Sequence, residues 1–307
     1  MKRFTKTTGF ITLLAMLITG CTERNELDTP VDNFQQCIAI SVTEEENPVV
    51  TRGTPLNSAS EVTSLGLFCT YTEKKQFSII LRIYPNKMVN KKMYRLPGTD
   101  SWAYEGADVT WDNTTAADNY TFFAYAPYST PENGISMPEL YYIPNLRYKA
   151  PANVADQPDL MIAESRRDIH PTGHPIDLKM KHVLTAVGFT LQGNGQVVTG
   201  LSLTGVYSEG TINIDLANGN ANTWRLAGDK TDTFNIPIAG GACTADATEQ
   251  NLMANDGYLM MIQQPVTDSA KVTLTFANNQ TKEIKLSGTG NLSSWEQGKK
   301  VTYKIIL

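Results

Sequence analysis

The sequence predicts an all-β protein built from β-sandwich domains, and three observations support this prediction. Short runs of apolar, β-branched and aromatic residues recur along the chain, and runs such as Lys271–Phe276 and Val301–Ile305 alternate apolar with polar residues, as half-buried strands do. Turn signals such as Asn133 followed by Gly134 separate the runs. No segment sustains a helical period. Many short strands joined by such turns favour sandwiches over an α/β sheet.

The strands are predicted in chain order from these runs. They are Cys37–Val42, Leu65–Tyr71, Ser78–Tyr84, Tyr120–Ala126, Leu160–Ala163, Val183–Leu191, Gly200–Tyr207, Gly210–Leu216, Gly257–Gln263, Lys271–Phe276, Lys282–Leu286 and Lys300–Leu307. The segment Pro144–Ala155 is expected to carry a helical turn or two at most. The polar, turn-rich residues 164–177 are interpreted as a solvated linker, so the sequence predicts an N-terminal sandwich over residues 36–180 and a C-terminal one over residues 181–307.

Residues 1–20 are predicted to be an export signal and not part of the fold. A basic start precedes the apolar run Phe10–Ile18, which is shorter than the roughly 20 apolar residues of a membrane-spanning helix. Thr19 and Gly20 are small enough for the cleft of a signal peptidase. Together with Cys21 they resemble the bacterial lipobox, which implies that Cys21 is diacylglycerated and becomes the first residue of the mature chain. The alternative is a plain secretory signal beside an incidental cysteine.

The polar residues 21–35 are predicted to form a lipid-anchored tether, because such a composition buries too little apolar surface to fold. Acyl chains supply about 0.8 kcal/mol per buried methylene, so several chains on one residue anchor a protein without a transmembrane helix. The formal net charge is −5, and the export signal carries bases but no acids. The mature chain is therefore acidic, which argues against nucleic-acid binding and against electrostatic adhesion to anionic lipid.

Three cysteines remain after Cys21. Cys37, Cys69 and Cys243 are an odd number, so an exported chain keeps at least one free thiol. A Cys37–Cys69 disulfide is one alternative. Each of the three lies among apolar or β-branched neighbours, so we expect buried free thiols.

The sequence offers little support for catalysis or for a bound cofactor. It contains no GxSxG, P-loop or HExxH motif, so we assign no catalytic residue and no cofactor. Asp168, His170 and His174 are close in sequence, but prolines and a glycine break the segment, and we expect no metal site. His182 is expected to be a structural residue on a strand.

Aromatic residues offer one further alternative, a platform on which a sugar stacks. The best candidates are Tyr141 beside Tyr142, and Trp102 near Tyr104. Packing in a core or on a sheet face is the expected role of these side chains.

Five segments in order resemble segments of the fimbrillin family, the lipoprotein pilus subunits of anaerobes from gut and mouth. They are residues 51–60, 119–127, 181–190, 201–214 and 295–305. With the lipobox, the resemblance extends over roughly residues 10–307. It implies two stacked transthyretin-like sandwich domains, export to the outer membrane as a lipoprotein, and assembly into thin surface fibres that mediate adhesion.

The resemblance also implies a route of assembly and a set of partners. In that family an arginine-specific protease releases the lipid and the first strand, and a strand from another subunit fills the groove by β-augmentation. The implied partners are other fimbrial subunits, that protease, the outer membrane and a ligand on a host or bacterial surface. Nucleic acid is not among them.

The residues that would serve this route are assigned as follows. Arg52 is the candidate cleavage site, on a polar, proline-flanked stretch. The candidate displaced strand contains Cys37, Ile38, Ile40 and Val42. The candidate donor strand contains Val301, Tyr303, Ile305 and Leu307, which share one face.

Each assignment has a plainer alternative. Arg52 can be an ordinary exposed arginine, and the C-terminal strand can be only a core strand. Arg24 in the tether and Arg82 in a predicted strand are poorer cleavage candidates. For the whole chain, the alternatives are a surface lipoprotein that captures glycans and a lipid-anchored glycosidase.

Overall fold

The computed structural model describes residues 37–44, 58–112, 118–137, 139–216, 223–288 and 292–307. Within these residues the chain forms β-strands and short 3-10 turns, and no α-helix. The predicted all-β fold is confirmed. None of the helices in this part of the chain is long and apolar enough to cross a membrane. Cys21 and Arg52 lie outside the described residues.

The strands are numbered in chain order. The first ten are β1 (Ile40–Glu44), β2 (Ser64–Thr72), β3 (Met88–Arg95), β4 (Trp102–Tyr104), β5 (Asn119–Ala126), β6 (Ile135–Ser136), β7 (Asn145–Lys149), β8 (Met161–Ala163), β9 (Arg166–Ile169) and β10 (Ile176–His182). The next six are β11 (Leu184–Gln192), β12 (Val197–Thr204), β13 (Glu209–Asn213), β14 (Arg225–Ala227), β15 (Phe234–Asn235) and β16 (Cys243–Thr244). The last seven are β17 (Gln250–Asn251), β18 (Leu259–Ile262), β19 (Gln264–Pro265), β20 (Lys271–Phe276), β21 (Thr281–Lys285), β22 (Ser294–Trp295) and β23 (Lys300–Ile306). The 3-10 turns are Ala59–Glu61, Ile79–Leu81, Val154–Asp156, Ala239–Gly241 and Ala254–Asp256.

The first sheet has the strand order β1-β10-β8-β5-β2-β3-β4, and β9 also pairs with β5. Its central strand β5 is buried along its whole length, so both faces of the sheet are covered. One face packs into a core of its own with members such as Ile38, Leu67 and Trp111. The other face contributes Phe68 and Phe123 to a larger core that continues into the second half of the chain.

The second half of the chain adds a sheet around β11, a sheet of β15-β12-β20-β21 with β16, and the small pair β19-β22. A further sheet has the order β14-β13-β7-β6, so it joins strands from both sides of residue 180. The Tyr148 hydroxyl on β7 donates to the Met260 carbonyl at 3.0 Å and ties this sheet to the β11 sheet. The division of the chain at residue 180 stays a prediction.

Two local predictions are wrong. Ser78–Tyr84 is not a strand: Ile79–Leu81 forms an exposed 3-10 turn capped by the Ser78 side chain. The run lacks the apolar and polar alternation of a half-buried strand, and its high β-propensity alone favoured the prediction of a strand. Residues 164–177 are not a solvated linker, because β9 lies there and β10 begins at Ile176. The polar residues of β9 lie beside β5 and make specific hydrogen bonds, which a composition-based reading cannot detect.

Several strands were not predicted. β3 carries three basic residues, β4 is only three residues long, and β7 lies where helical turns were expected. In each case the neighbouring strand selects the extended conformation, as β13 does for β7 along five paired residues.

The cysteines divide into two groups. Cys69 and Cys243 are buried free thiols, as expected, which excludes a Cys37–Cys69 disulfide. Burial raises the pKa of both thiols, so neither is a ready nucleophile. Cys37 is disulfide-bonded, so the expectation of a free thiol is wrong for it.

Candidate functional site

The first candidate segment, β1, lies at the edge of the first sheet. It pairs in parallel with β10, from Ile40 opposite Ile176 to Glu44 opposite Met180. Among the described residues no other strand pairs with β1. β1 is therefore held to the sheet by a single neighbouring strand.

Alternate side chains of this segment enter the core of the first sheet. Ile38 and Ile40 are buried and Val42 is partly buried against this core, and Cys37, which precedes the alternating set, also packs against it. This alternation fills pockets on one face of the sheet. All four residues of the candidate displaced strand therefore contact one apolar core.

The start of the segment is also fixed by polar contacts. Cys37 forms an isolated antiparallel β-bridge with Thr110, and the Ile38 amide donates to the Val109 carbonyl at 2.8 Å. The buried Tyr104 hydroxyl donates to the Ile38 carbonyl at 2.7 Å. Burial raises the pKa of Tyr104 far above its ordinary value. The phenol therefore stays a donor throughout the physiological pH range.

The second candidate segment, β23, is also an edge strand. It pairs in parallel with β11, from Lys300 opposite Ala186 to Ile306 opposite Gln192. β11 pairs on its other side with β17 and β18. Among the described residues β23 has no second neighbouring strand, so both terminal strands share one arrangement: parallel pairing on one side only.

The inward face of β23 carries the four candidate donor residues. Tyr303 and Ile305 are buried, and Val301 and Leu307 are partly buried against the larger core. The Tyr303 ring stacks on Phe189 with 5.7 Å between the ring centroids. The side chains between them, including Ile306 at 67% exposure, face outward. The donor face predicted from alternation is the face that the core covers.

A buried hydrogen bond fixes the middle of β23. The Trp295 indole N–H donates to the Tyr303 hydroxyl at 3.0 Å, and Trp295 is 0% exposed. Burial raises the pKa of Tyr303, and the bond from Trp295 partly opposes that rise. The hydroxyl is the acceptor for an indole that has no access to water.

The two candidate strands do not meet. Cys37 lies near Ile176, the first residue of β10, because β1 and β10 are parallel and pair from Ile40 opposite Ile176. The C-terminal residue Leu307 lies at the end of β11, where its amide donates to the Gln192 carbonyl at 3.0 Å. β11 begins at Leu184, directly after β10, so the entry of β1 and the exit of β23 lie at opposite ends of this run of chain.

The polar residues that the sequence placed in or beside a linker at residues 164–177 make structural contacts. Asp168 accepts a hydrogen bond from the Phe77 amide at 2.6 Å, and the His170 Nδ1 atom lies 2.9 Å from the Asp118 carbonyl oxygen. His182 ends β10 and pairs with the buried Asp159 at 2.9 Å. Within the described residues no group of three or more His, Cys, Asp or Glu residues is arranged to hold a metal.

The four candidate sugar-stacking residues do not form a platform. Trp102 and Tyr104 are buried in the core of the first sheet, so that alternative is wrong for this pair. Tyr142 packs against the larger core, and Tyr141 alone is exposed. The Tyr141 hydroxyl donates to Glu139, which raises the pKa of the phenol.

Sequence reasoning missed one exposed apolar surface. Ile79, Ile80, Leu81 and Tyr84 are 51%, 85%, 45% and 50% exposed. The signal for it was a run of three consecutive aliphatic residues without a polar alternate, directly before Arg82. Arg82 also lies in this exposed turn, so the reason for ranking it below Arg52 as a cleavage site, its place in a strand, is wrong.

The hydrogen bond inside β23 leads to a stability prediction. Tyr303→Phe leaves the buried Trp295 N–H without its acceptor, and we expect a loss of about 1–3 kcal/mol in the free energy of unfolding. Tyr84→Phe removes the same hydroxyl from a half-exposed ring and should change stability by less than about 0.5 kcal/mol. Urea denaturation of both variants measures the difference. Equal losses in the two variants would contradict the assigned role of the Tyr303 hydroxyl.

Comparisons with known proteins give the chain its relatives. A search of curated proteins found no match. Among solved structures, a fimbrial protein from Bacteroides vulgatus is similar, with 17% identity, a TM-score of 0.59, and coverage of 88% of this chain and 94% of that one. A candidate cell adhesion protein from Bacteroides uniformis is 13% identical with a TM-score of 0.56, covering 91% and 94%. One from Bacteroides ovatus is 14% identical with a TM-score of 0.57, covering 89% and 92%.

At these identities the solved structures establish a shared fold. The family is established by a family model, described as fimbrillin-like, that matches residues 51–307. The match begins after β1 and includes every later strand. The chain belongs to the fimbrillin-like family.

Proposed function

We propose that this chain is a structural, non-catalytic subunit of cell-surface fimbriae, that it is exported as a lipoprotein and assembles by exchange of a terminal strand, and that its fibres contribute to adhesion. Membership of the fimbrillin-like family supports fimbrial assembly and a place in a surface appendage. The observation that carries the exchange is that β1 and β23 are both edge strands, each paired in parallel with one strand and each inserting alternate side chains into a core. The partners would be other fimbrial subunits, and the adhesion target would be a ligand on a host or bacterial surface.

The proposed exchange begins at β1. Cleavage after Arg52 would separate the segment that ends at Arg52 and contains β1 from the rest of the chain. Loss of β1 would then expose the unpaired backbone of β10 and the pockets filled by Ile38 and Ile40. Such an edge binds another strand readily.

β23 is the proposed occupant of that edge. Its inward residues have the same spacing as Ile38, Ile40 and Val42, and it already pairs in parallel with a central strand. The exchange requires that the vacated edge of β10 binds β23 of a neighbouring subunit more tightly than β11 binds β23 of the same chain. This condition is the energetic core of the proposal, because β23 must leave Phe189 and Trp295 to reach its new site.

Treatment with an arginine-specific protease tests the assembly route. We expect a cut after Arg52, a new N-terminus at Gly53, and filaments visible by electron microscopy, because removal of β1 opens the edge of β10. Arg52→Ala should remain uncut there and monomeric. Arg82→Ala is the matched control in an exposed turn and should assemble like the unaltered chain. A cut at Arg82 alone, or filaments from Arg52→Ala, would overturn the assignment of Arg52.

Lipid attachment at Cys21 is tested by metabolic labelling with a fatty-acid analogue. The unaltered chain should incorporate the label and partition with membranes, and Cys21→Ser should lose both properties, while Cys37→Ser should keep them. Because Cys69 and Cys243 are free thiols and the chain has four cysteines, a thioether at Cys21 and a disulfide at Cys37 within one chain exclude each other. A digest of the labelled chain should therefore contain a Cys37 peptide that is not linked to Cys21. Label on Cys21→Ser would refute lipidation at this residue.

A further inference from the structure

We propose that the β2–β3 loop (residues 73–87) is a membrane-contacting surface, which rests its aliphatic tip in the interface of the lipid bilayer to which the N-terminal segment is anchored. The inference deepens the proposed lipoprotein function, because it assigns a second contact with the same membrane. It is carried by the exposure of the loop, by its rigid support, by its local charge and by its position beside the point where the N-terminal segment leaves the fold.

The tip of the loop is apolar and solvent-facing. Ile79, Ile80 and Leu81 follow one another, and Ile80 is 85% exposed. Consecutive exposed aliphatic side chains are costly on a secreted domain and mark interaction surfaces. Tyr84 stands beside them with half of its surface exposed, and tyrosine suits the boundary between headgroups and acyl chains.

The loop is held in this shape by specific contacts at both of its flanks. Phe77 is buried against Phe123, and its amide donates to Asp168 at 2.6 Å. The Ser78 hydroxyl accepts from the Ile80 amide at 3.3 Å and caps the turn. The Tyr71 amide donates to Asn86 at 2.7 Å on the other flank. The aliphatic tip is therefore presented on a fixed support, which lowers the entropic cost of binding.

The charge carried by the residues of the loop is opposite in sign to that of the whole chain. Lys74 and Lys75 precede the tip and Arg82 follows it, and all three are exposed. Glu73 is the one acid in the loop and lies 3.9 Å from Lys74. The chain as a whole carries −5, which disfavours general adhesion to anionic lipid. A basic rim around an apolar tip reverses that balance locally, and such amphipathic segments lie in bilayer interfaces.

The loop emerges at the same end of the first sheet as the N-terminal segment. β2 ends at Thr72 opposite Asn119 of β5, and β9 places Ile169 opposite Tyr120, the next residue of β5. The segment of residues 109–112 links the two directly. It pairs with Cys37 through Thr110 and with Lys87 at the end of the loop through Asp112, at 2.6 Å. The polar segment that would run from a lipid on Cys21 therefore reaches the fold beside this loop, and this location identifies the bilayer as the occupant in preference to a second copy of the chain.

Vesicle binding by a chain without its own lipid tests the inference. The probe is the chain from residue 21 onward carrying Cys21→Ser, mixed with vesicles of phosphatidylcholine alone or of phosphatidylcholine with phosphatidylglycerol. We expect binding to both, tighter to the anionic vesicles, with the difference reduced at high salt. Because the chain has no acyl group, failure of lipidation at Cys21 leaves this result unchanged.

Two matched substitutions locate the contact. Ile80→Asp should lower the vesicle partition coefficient by about ten- to a hundredfold, the range expected for one buried aliphatic side chain. Ile306→Asp changes an isoleucine of similar exposure at the far end of β23 and should have no effect. Both sites are exposed, so both variants should keep the unfolding midpoint of the parent chain.

Several outcomes overturn the inference. They are equal partitioning of Ile80→Asp and the parent, an equal loss in both variants, and no binding to either vesicle. A fourth is a loss of self-association, but not of vesicle binding, in Ile80→Asp. That outcome would reassign the loop to contact between copies of the chain.

Discussion

The one-sided pairing of the two terminal strands is the constraint on which the rest of this structure depends. A strand inside a sheet cannot leave without breaking two ladders of hydrogen bonds, whereas β1 is joined only to β10 and β23 only to β11. Each terminal strand still contributes alternate side chains to a core. Removal of either strand therefore exposes both a backbone edge and a row of apolar pockets. Because both would be exposed to water, binding of another strand at that edge is favoured over leaving the edge unpaired.

One further edge strand, β21, is protected in a different way. β21 is the edge of its sheet, and its sequence Thr-Lys-Glu-Ile-Lys is mostly exposed. Lys285 on β21 pairs with Asp268 at 3.3 Å, and Glu283 pairs with Lys271 on β20 at 3.1 Å. Charged edge strands resist pairing with other chains. The chain thus places charge on an edge that has no part in the proposed exchange and apolar pockets behind the two that do.

The fold class and the longer strands of the second half were predictable because local and tertiary signals agree there, whereas its strands of two or three residues were not predicted. β20 coincides with its predicted range, and the alternating residues of β23 identify its inward face. The failures arise where contacts override composition. The run Ser78–Tyr84 has the residues of a strand but is held in an exposed turn by the Ser78 cap and the Phe77 anchor.

The candidate site was predictable only in part, for a related reason. Alternation in sequence identifies which side chains of a strand share a face, but it does not reveal whether the strand is central or at an edge. β9 was missed because its arginines read as a solvated linker, although Arg167 lies over the ring of Phe77 and pairs with Asp215. The β2–β3 loop was missed because its one signal in the sequence, three consecutive aliphatic residues at Ile79–Leu81, is also typical of a buried strand.

Binding of a synthetic peptide with the sequence of residues 299–307 to the chain cleaved after Arg52 tests the central claim most directly. The account predicts that the peptide binds the cleaved chain, protects the amides of β10 from hydrogen exchange and stops filament growth. A peptide with Lys in place of Tyr303 and Ile305 should do none of these, and the uncleaved chain should bind neither peptide. Equal binding of both peptides, or protection of β11 with no change at β10, would contradict exchange at the edge that β1 vacates.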